Sequence, residues 1–268
     1  MTITIQLASS NPNAVSAPSA AKCAMCSFRN LCLPVGLDDT DVSRLDQIIA
    51  RRRRVAKDEP LFRLDDSFHN LYAIRYGHFK TSQVNVRGEQ QITGFQMAGD
   101  LLGMDAIGTG RHGSSAVALD DAEVCEIPFA RLQELVIQMP SLMRHFHRIM
   151  SHEITREQNV MLFLGNMRAE QRFALFLLNL SSRYSARGQS STQFQLRMSR
   201  EDIGAYLGLT IESISRLLSR FRQNGWIKVD NRELTLLDRA ALEDLASGAA
   251  EEASARAAEQ PRRIRQAA

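Results

Sequence analysis

Three of the four cysteines of this chain, Cys23, Cys26 and Cys32, fall within ten residues of one another, and the fourth, Cys125, lies far downstream. Thiolates are soft ligands that suit zinc, copper(I) or iron-sulfur clusters. A C-x2-C pair lets two of them reach one centre from a single turn of backbone, so the spacing reads as a metal or cluster site. Cys125 then has to be delivered by the fold. Two blander readings exist: free cysteines often serve as small buried hydrophobes, and four cysteines can form two disulfides. The first twenty residues carry neither a basic n-region nor a sustained apolar run, and no later stretch approaches the roughly 18 apolar residues of a membrane span. The expectation is a cytoplasmic protein without a membrane partner, where thiols stay reduced and clustered cysteines favour metal or redox chemistry over disulfides.

A second set of residues is suited to recognition. From Ser199 the chain reads SREDIGAYLGLTIESISRLLSRFRQNGWIKV. Ser199 with Asp202 forms a capping pair that opens a helix, Ile203, Tyr206 and Leu207 make its inner face, and Gly208-Leu209 turns the chain. Thr210 caps a second helix with Ile211, Ile214, Leu217, Leu218 and Phe221 inward and Glu212, Ser215, Arg216, Ser219 and Arg220 outward. This is the pattern of a helix-turn-helix, whose second helix enters the major groove of double-stranded DNA. Arginine can bond both acceptors of guanine, glutamate can accept from the cytosine amino group, and serine can contact base or phosphate. Arg197, Arg200, Arg220, Arg222 and Lys228 supply positive charge for phosphates, and Trp226–Val229 with Glu233–Leu237 suggests a hairpin wing.

The elements that must hold these two sets in place follow from the texture of the chain. Hydrophobic residues make up 44% and charged residues 24% of 268, an ordinary globular balance over a length that suits two medium domains. The net charge of +3 is too small to argue anything for the chain as a whole. Val42, Leu45, Ile48 and Ile49 recur at helical spacing, and the run Arg51 to Arg54 reads as the solvated end of that helix. Between Pro60 and Pro128 come short apolar runs, Asn70–Tyr76, His78–Val84, Gln91–Met97 and Ala122–Ile127, that read as strands. Gly77, Gly88, Gly99 and Gly110 recur every eleven residues, the turn spacing of a compact antiparallel roll. The fold class expected is α+β: a double-stranded β-roll (jelly-roll) domain, a long helix, and a C-terminal winged helix-turn-helix. The boundaries are a tail at 1–22, the cysteine segment and roll at 23–139, a dimerisation helix at 140–166, the DNA-binding domain at 167–245 and a second tail at 246–268.

The long helix carries a heptad seam. Met143, His147, Met150, Ile154, Glu157, Met161 and Leu164 alternate by four and three residues, forming one stripe that can pair with its copy; packing within its own domain is the other reading of the stripe. In a homodimer Glu157 would face Glu157, and two such charges about 6 Å apart at an effective dielectric near 20 repel by about 3 kcal/mol. The chain lacks GxxxxGK[ST], HExxH and GxSxG, and its six histidines show no pairing with a nucleophile, so an enzyme is not expected.

The spacing C-x2-C-x5-C with Cys125 in VCEIP, the segments LYAIRYG, QITGF and AGDLLGMDAIG, and the stretch LGLTIESISRLL together resemble the cAMP receptor protein/FNR family, in its FNR branch, over residues 23–245. That resemblance implies a [4Fe-4S] cluster on Cys23, Cys26, Cys32 and Cys125 that responds to oxygen, with Ser27 and Leu31 flanking it. It implies that Glu212, Ser215 and Arg216 read TTGAT half-sites of a palindromic operator, that the cluster-bound form is a dimer, and that surface loops, one around 86–89, contact RNA polymerase. A zinc-binding or thiol-redox regulator of the same fold is the alternative. Cyclic-nucleotide binding, known from the other branch, is disfavoured, because GRHGSSAVA places Ser114-Ser115 where that branch carries an Arg-Ser pair for the phosphate; Arg111 is the one nearby cation that could reach inward.

Overall fold

A computed structural model describes residues 23–84, 88 and 90–248. The expected tails at 1–22 and 249–268 lie outside the described residues, as does the loop around 86–89 apart from Gly88.

After a short turn at Cys23–Met25, helix α1 (Asp39–Ile48) is capped by the Asp38 carboxylate, which accepts from the Asp41 amide at 2.8 Å. Eight strands follow: β1 (Arg51–Val55), β2 (Pro60–Phe62), β3 (Asn70–Tyr76), β4 (His78–Val84), β5 (Gln90–Met97), β6 (Leu101–Leu102), β7 (Ser115–Ala118) and β8 (Ala122–Pro128). They form two four-stranded antiparallel sheets, in the orders β1-β8-β3-β6 and β2-β7-β4-β5. Together these make the β-roll. The four glycines spaced by eleven all have positive φ, between 71° and 93°, so each sits at a turn that other residues enter only with strain.

The arginine run departs from the helix-end reading. Arg51 to Arg54 belong to strand β1, in register with Glu126, Cys125, Val124 and Glu123 of β8. Alternation sends Arg51 and Arg53 to one face, where the buried Glu126 lies 2.6 Å and 4.0 Å from them. Arg52 and Arg54 share the other face with Cys125 and Glu123. Carboxylates from a distant strand outweigh the local preference for a solvated helix end.

Helices α2 (Phe129–Gln138) and α3 (Pro140–Asn166) lead out of the roll, and α4 (Ala169–Ala186) leads into the C-terminal unit of β9 (Gln193–Gln195), α5 (Arg200–Leu207), α6 (Ile211–Gln223), β10 (Ile227–Asp230), β11 (Glu233–Leu236) and α7 (Arg239–Ser247). Strands β10, β11 and β9 form the wing sheet. Helix α7 passes the boundary read at 245, and its Leu242 and Ala246 are buried in the core of this unit.

That core continues into the roll. Ile92, Phe95, Met97 and Leu119 share one buried cluster with Phe173, Leu177, Ile203, Ile214 and Phe221. Polar clamps reinforce the contact: Lys80 Nζ donates to Asp202 at 2.6 Å, and Arg183 of α4 and Arg187 just after its end both reach Asp100.

Candidate metal centre and nucleic-acid interface

The cysteine segment folds back as a chain of turns against α1, α3 and the outer face of the β1-β8-β3-β6 sheet. The Cys26 amide donates to the Cys23 carbonyl at 3.0 Å and the Cys32 amide to the Phe28 carbonyl at 3.1 Å. Asp46 of α1 accepts from the Cys23 amide at 2.6 Å, and His145 Nε2 of α3 lies 3.1 Å from the Cys32 carbonyl. Cys125 sits on β8 between Arg52 of β1 and Ala73 of β3. The result is one cavity lined by all four cysteines, with Phe28, Leu33, Leu45, Ile74 and Ile127 as apolar wall and Arg29, Arg52 and Arg75 as the cations.

All four cysteines are free thiols. Burial and then a hydrogen bond to Asp46 push the Cys23 thiol well above its ordinary value. Burial pushes Cys32 up to about 12 and raises Cys125 as well, with Arg52 drawing Cys125 part of the way back. Buried thiols of this kind ionise only when a cation replaces the proton. The donor set therefore suits a soft metal group. The free volume of the cavity is about 30 Å³, room for a water or two. Among the described residues, no three cysteines, histidines or carboxylates stand close enough to hold a single metal ion.

A second cavity, of about 200 Å³, lies inside the roll against α3 and is lined by Thr81, Gln96, Asp105, Ser114, Glu153, Arg156 and Glu157 among others. Ser114 Oγ donates to Asp105 at 2.9 Å. Arg111 does not turn into this space: its Nη1 donates to the Asp65 carbonyl at 2.6 Å on the exposed rim. Three carboxylates against one guanidinium make a poor seat for a phosphate.

The helix-turn-helix follows its sequence closely. Ser199 and Asp202 form a reciprocal capping box on α5, Gly208 ends that helix at φ 64°, and the Thr210 hydroxyl caps α6 by accepting from the Ser213 amide. Ile214, Leu217, Leu218 and Phe221 are buried, whereas Glu212 and Arg216 are exposed and Ser215 is half-buried. Ile211, expected inward, is 46% exposed; as the first residue of α6 it precedes the turn that meets the core. Of the cations expected near phosphates, Arg220 is ion-paired with Glu170 of α4 and Arg197 with Asp120, which leaves Arg200, Arg222 and Lys228 as exposed cations, Arg200 against Ser215 of the recognition helix.

Along α3, Met143, His147, Ile154, Glu157 and Met161 are exposed, and Met150 and Leu164 are half-buried. The adjoining side of the helix, with Leu142, His145 and Phe146, is buried on the roll side. The stripe is mostly exposed, although Met150 packs against the roll core and Ile154 and Glu157 border the second cavity. Among the described residues no helix is long and apolar enough to cross a membrane.

Sequence reading missed Asp46, Asp100, Arg183 and Arg187, whose partners lie far along the chain, and the place of Arg52 opposite Cys125. Arg52 carried one signal, its place in a basic run, but nothing local marked it out from its neighbours.

Comparisons with known proteins agree with this architecture. A cyclic nucleotide-binding domain model matches residues 52–138 and a Crp-like helix-turn-helix domain model residues 171–245. The chain is 46% identical over 228 residues to the transcriptional regulatory protein btr of Bordetella pertussis, which covers 85% of this chain and 94% of that one. It is 45% identical over 227 residues to the fumarate and nitrate reduction regulatory protein of Escherichia coli, covering 85% and 91%. The structure of FixK2 from Bradyrhizobium japonicum matches with a TM-score of 0.67 at 28% identity, over 72% of this chain and 96% of that one. With a roll, a long helix and a winged helix-turn-helix, and with relatives this similar over most of both chains, the chain belongs to the Crp/FNR family of transcription regulators.

Proposed function

We propose that this regulator senses molecular oxygen through a [4Fe-4S] cluster held by Cys23, Cys26, Cys32 and Cys125. In the cluster-bound state it pairs with its copy along α3 and binds palindromic TTGAT-type operators in the cytoplasm, activating or repressing genes of anaerobic metabolism with RNA polymerase. The observation that carries this reading is the meeting of four thiols, from two distant segments, in one cavity. The name of the Escherichia coli relative, a fumarate and nitrate reduction regulator, points the same way.

When bound, the cluster supplies an oxygen-labile redox group. The residues around it pass its presence outward. The Cys32 carbonyl is tied to α3 through His145, so a shift of the loop is felt on the helix that bears the seam. There Met143, His147, Met150, Ile154, Glu157, Met161 and Leu164 form the pairing stripe, and Glu157 opposes pairing until α3 is repositioned. At the DNA, Glu212, Ser215 and Arg216 read base edges from the exposed side of α6.

Anaerobic purification tests the reading. A brown protein with broad visible absorption and about four irons per chain, bleaching in air and absent from Cys125→Ser, is expected. A colourless protein carrying zinc overturns it in favour of a zinc or thiol-redox regulator.

A further inference from the structure

Three guanidiniums border the four-thiol cavity, and two of them are already engaged. Arg29 Nη2 donates to Asp39 at 3.1 Å, and Arg75 Nη1 donates to Glu123 at 2.7 Å. Arg52 differs. Its Nε is shut off from solvent and has no hydrogen-bond partner, although a buried donor without an acceptor is costly enough to be scarce in folded proteins. Its position is fixed by the sheet: Arg52 of β1 stands directly opposite Cys125 of β8, and opposed residues of an antiparallel pair project side by side from the same face.

The chemistry of the cavity says what that donor is for. Four thiolates around a doubly positive [4Fe-4S] core leave a net charge of minus two, held in a largely apolar wall with the Asp46 carboxylate at one edge. Such a group needs charge-assisted hydrogen bonds to its sulfurs. We infer that Arg52 is the positioning residue that stabilises the cluster, donating its Nε–H to a sulfur on the Cys125 side of the cavity. The role rests on the cluster reading of that cavity. An arginine suits it better than a lysine, because the planar guanidinium presents Nε–H in a fixed direction while the same group carries the charge.

The test compares the parent with Arg52→Met, Arg52→Lys and Arg54→Met, each purified without oxygen and checked for native circular dichroism. Arg54 lies on the same face of β1 but is 88% exposed. Iron content is counted, and the rate at which an iron chelator strips the visible absorption is followed under argon. Loss of one charge-assisted hydrogen bond predicts that Arg52→Met loses its cluster about tenfold faster than the parent, with Arg52→Lys intermediate and Arg54→Met like the parent. Should Arg52→Met not fill with iron, Arg52→Lys alone carries the comparison. Rates within twofold of the parent for the Arg52 variants, or equal acceleration by Arg54→Met, overturn the role of Arg52 and leave the cluster reading intact. A parent without iron overturns both.

Discussion

The Asp100 carboxylate accepts a hydrogen bond of 2.5 Å from Arg183, joining the turn between β5 and β6 of the roll to helix α4 of the DNA-binding unit. Arg187 adds a second contact of 2.6 Å to the other carboxylate oxygen. The same turn touches the cysteine segment. Gly99, at φ 93°, packs so closely on Leu31 that an added Cβ would stand 2.9 Å from the Leu31 Cβ. One turn therefore bears the neighbour of Cys32 on one side and the DNA-binding unit on the other.

Replacing Asp100 by Asn should destabilise the protein by about 2 kcal/mol at pH 7, the scale of a hydrogen bond to a charged group. Burial alone would raise this carboxyl, but Arg183 and Arg187 outweigh it and hold it below its ordinary value of 3.8. A depressed carboxylate stabilises fully above that ordinary value, and its share is lost as pH falls through the lowered one. Thermal unfolding should show the gap between parent and Asp100→Asn narrowing below pH 3.8. A gap that does not change with pH would assign the effect to packing instead of charge.

Glu157→Ala should strengthen dimerisation of the cluster-free protein about a hundredfold, the equivalent of the roughly 3 kcal/mol of repulsion between two facing carboxylates. Glu157 is exposed on α3 in line with Ile154 and Met161. Sedimentation of parent and variant in air measures it. A variant as monomeric as the parent means that Glu157 does not face its copy.

Arg216→Ala should weaken operator binding by about 1–3 kcal/mol and relax base preference at one position. Lys228→Ala, on the exposed edge of the wing, should weaken all DNA alike and reduce the salt slope by about one. Binding titrations against operator and scrambled duplexes at two salt concentrations separate the two. Equal operator affinity for parent and Arg216→Ala would remove this residue from the readout.

The strands at Asn70–Tyr76 and His78–Val84, the caps at Ser199 and Thr210 and the glycine turns were all legible in the chain, because each depends on contacts a few residues apart. Arg51 to Arg54 were misread for the converse reason. What makes them a strand is Glu126 and Glu123, about seventy residues on, and a basic run without its partners looks like any solvated helix end. Ile211 was misplaced because helical periodicity does not say where along α6 the core begins.

By itself, then, the sequence determined the types and spacing of the four thiols, the order of roll, helix and helix-turn-helix, and the outward residues of the recognition helix. Only the tertiary structure decided that Cys125 meets the other three in one cavity, that among its cations Arg52 is the one with a buried donor left without a partner, and that Asp100 ties the cysteine side of the roll to α4. Those relations are set by strand register and by the docking of one unit on another. Both depend on long-range burial and charge pairing, which no local window of the chain contains.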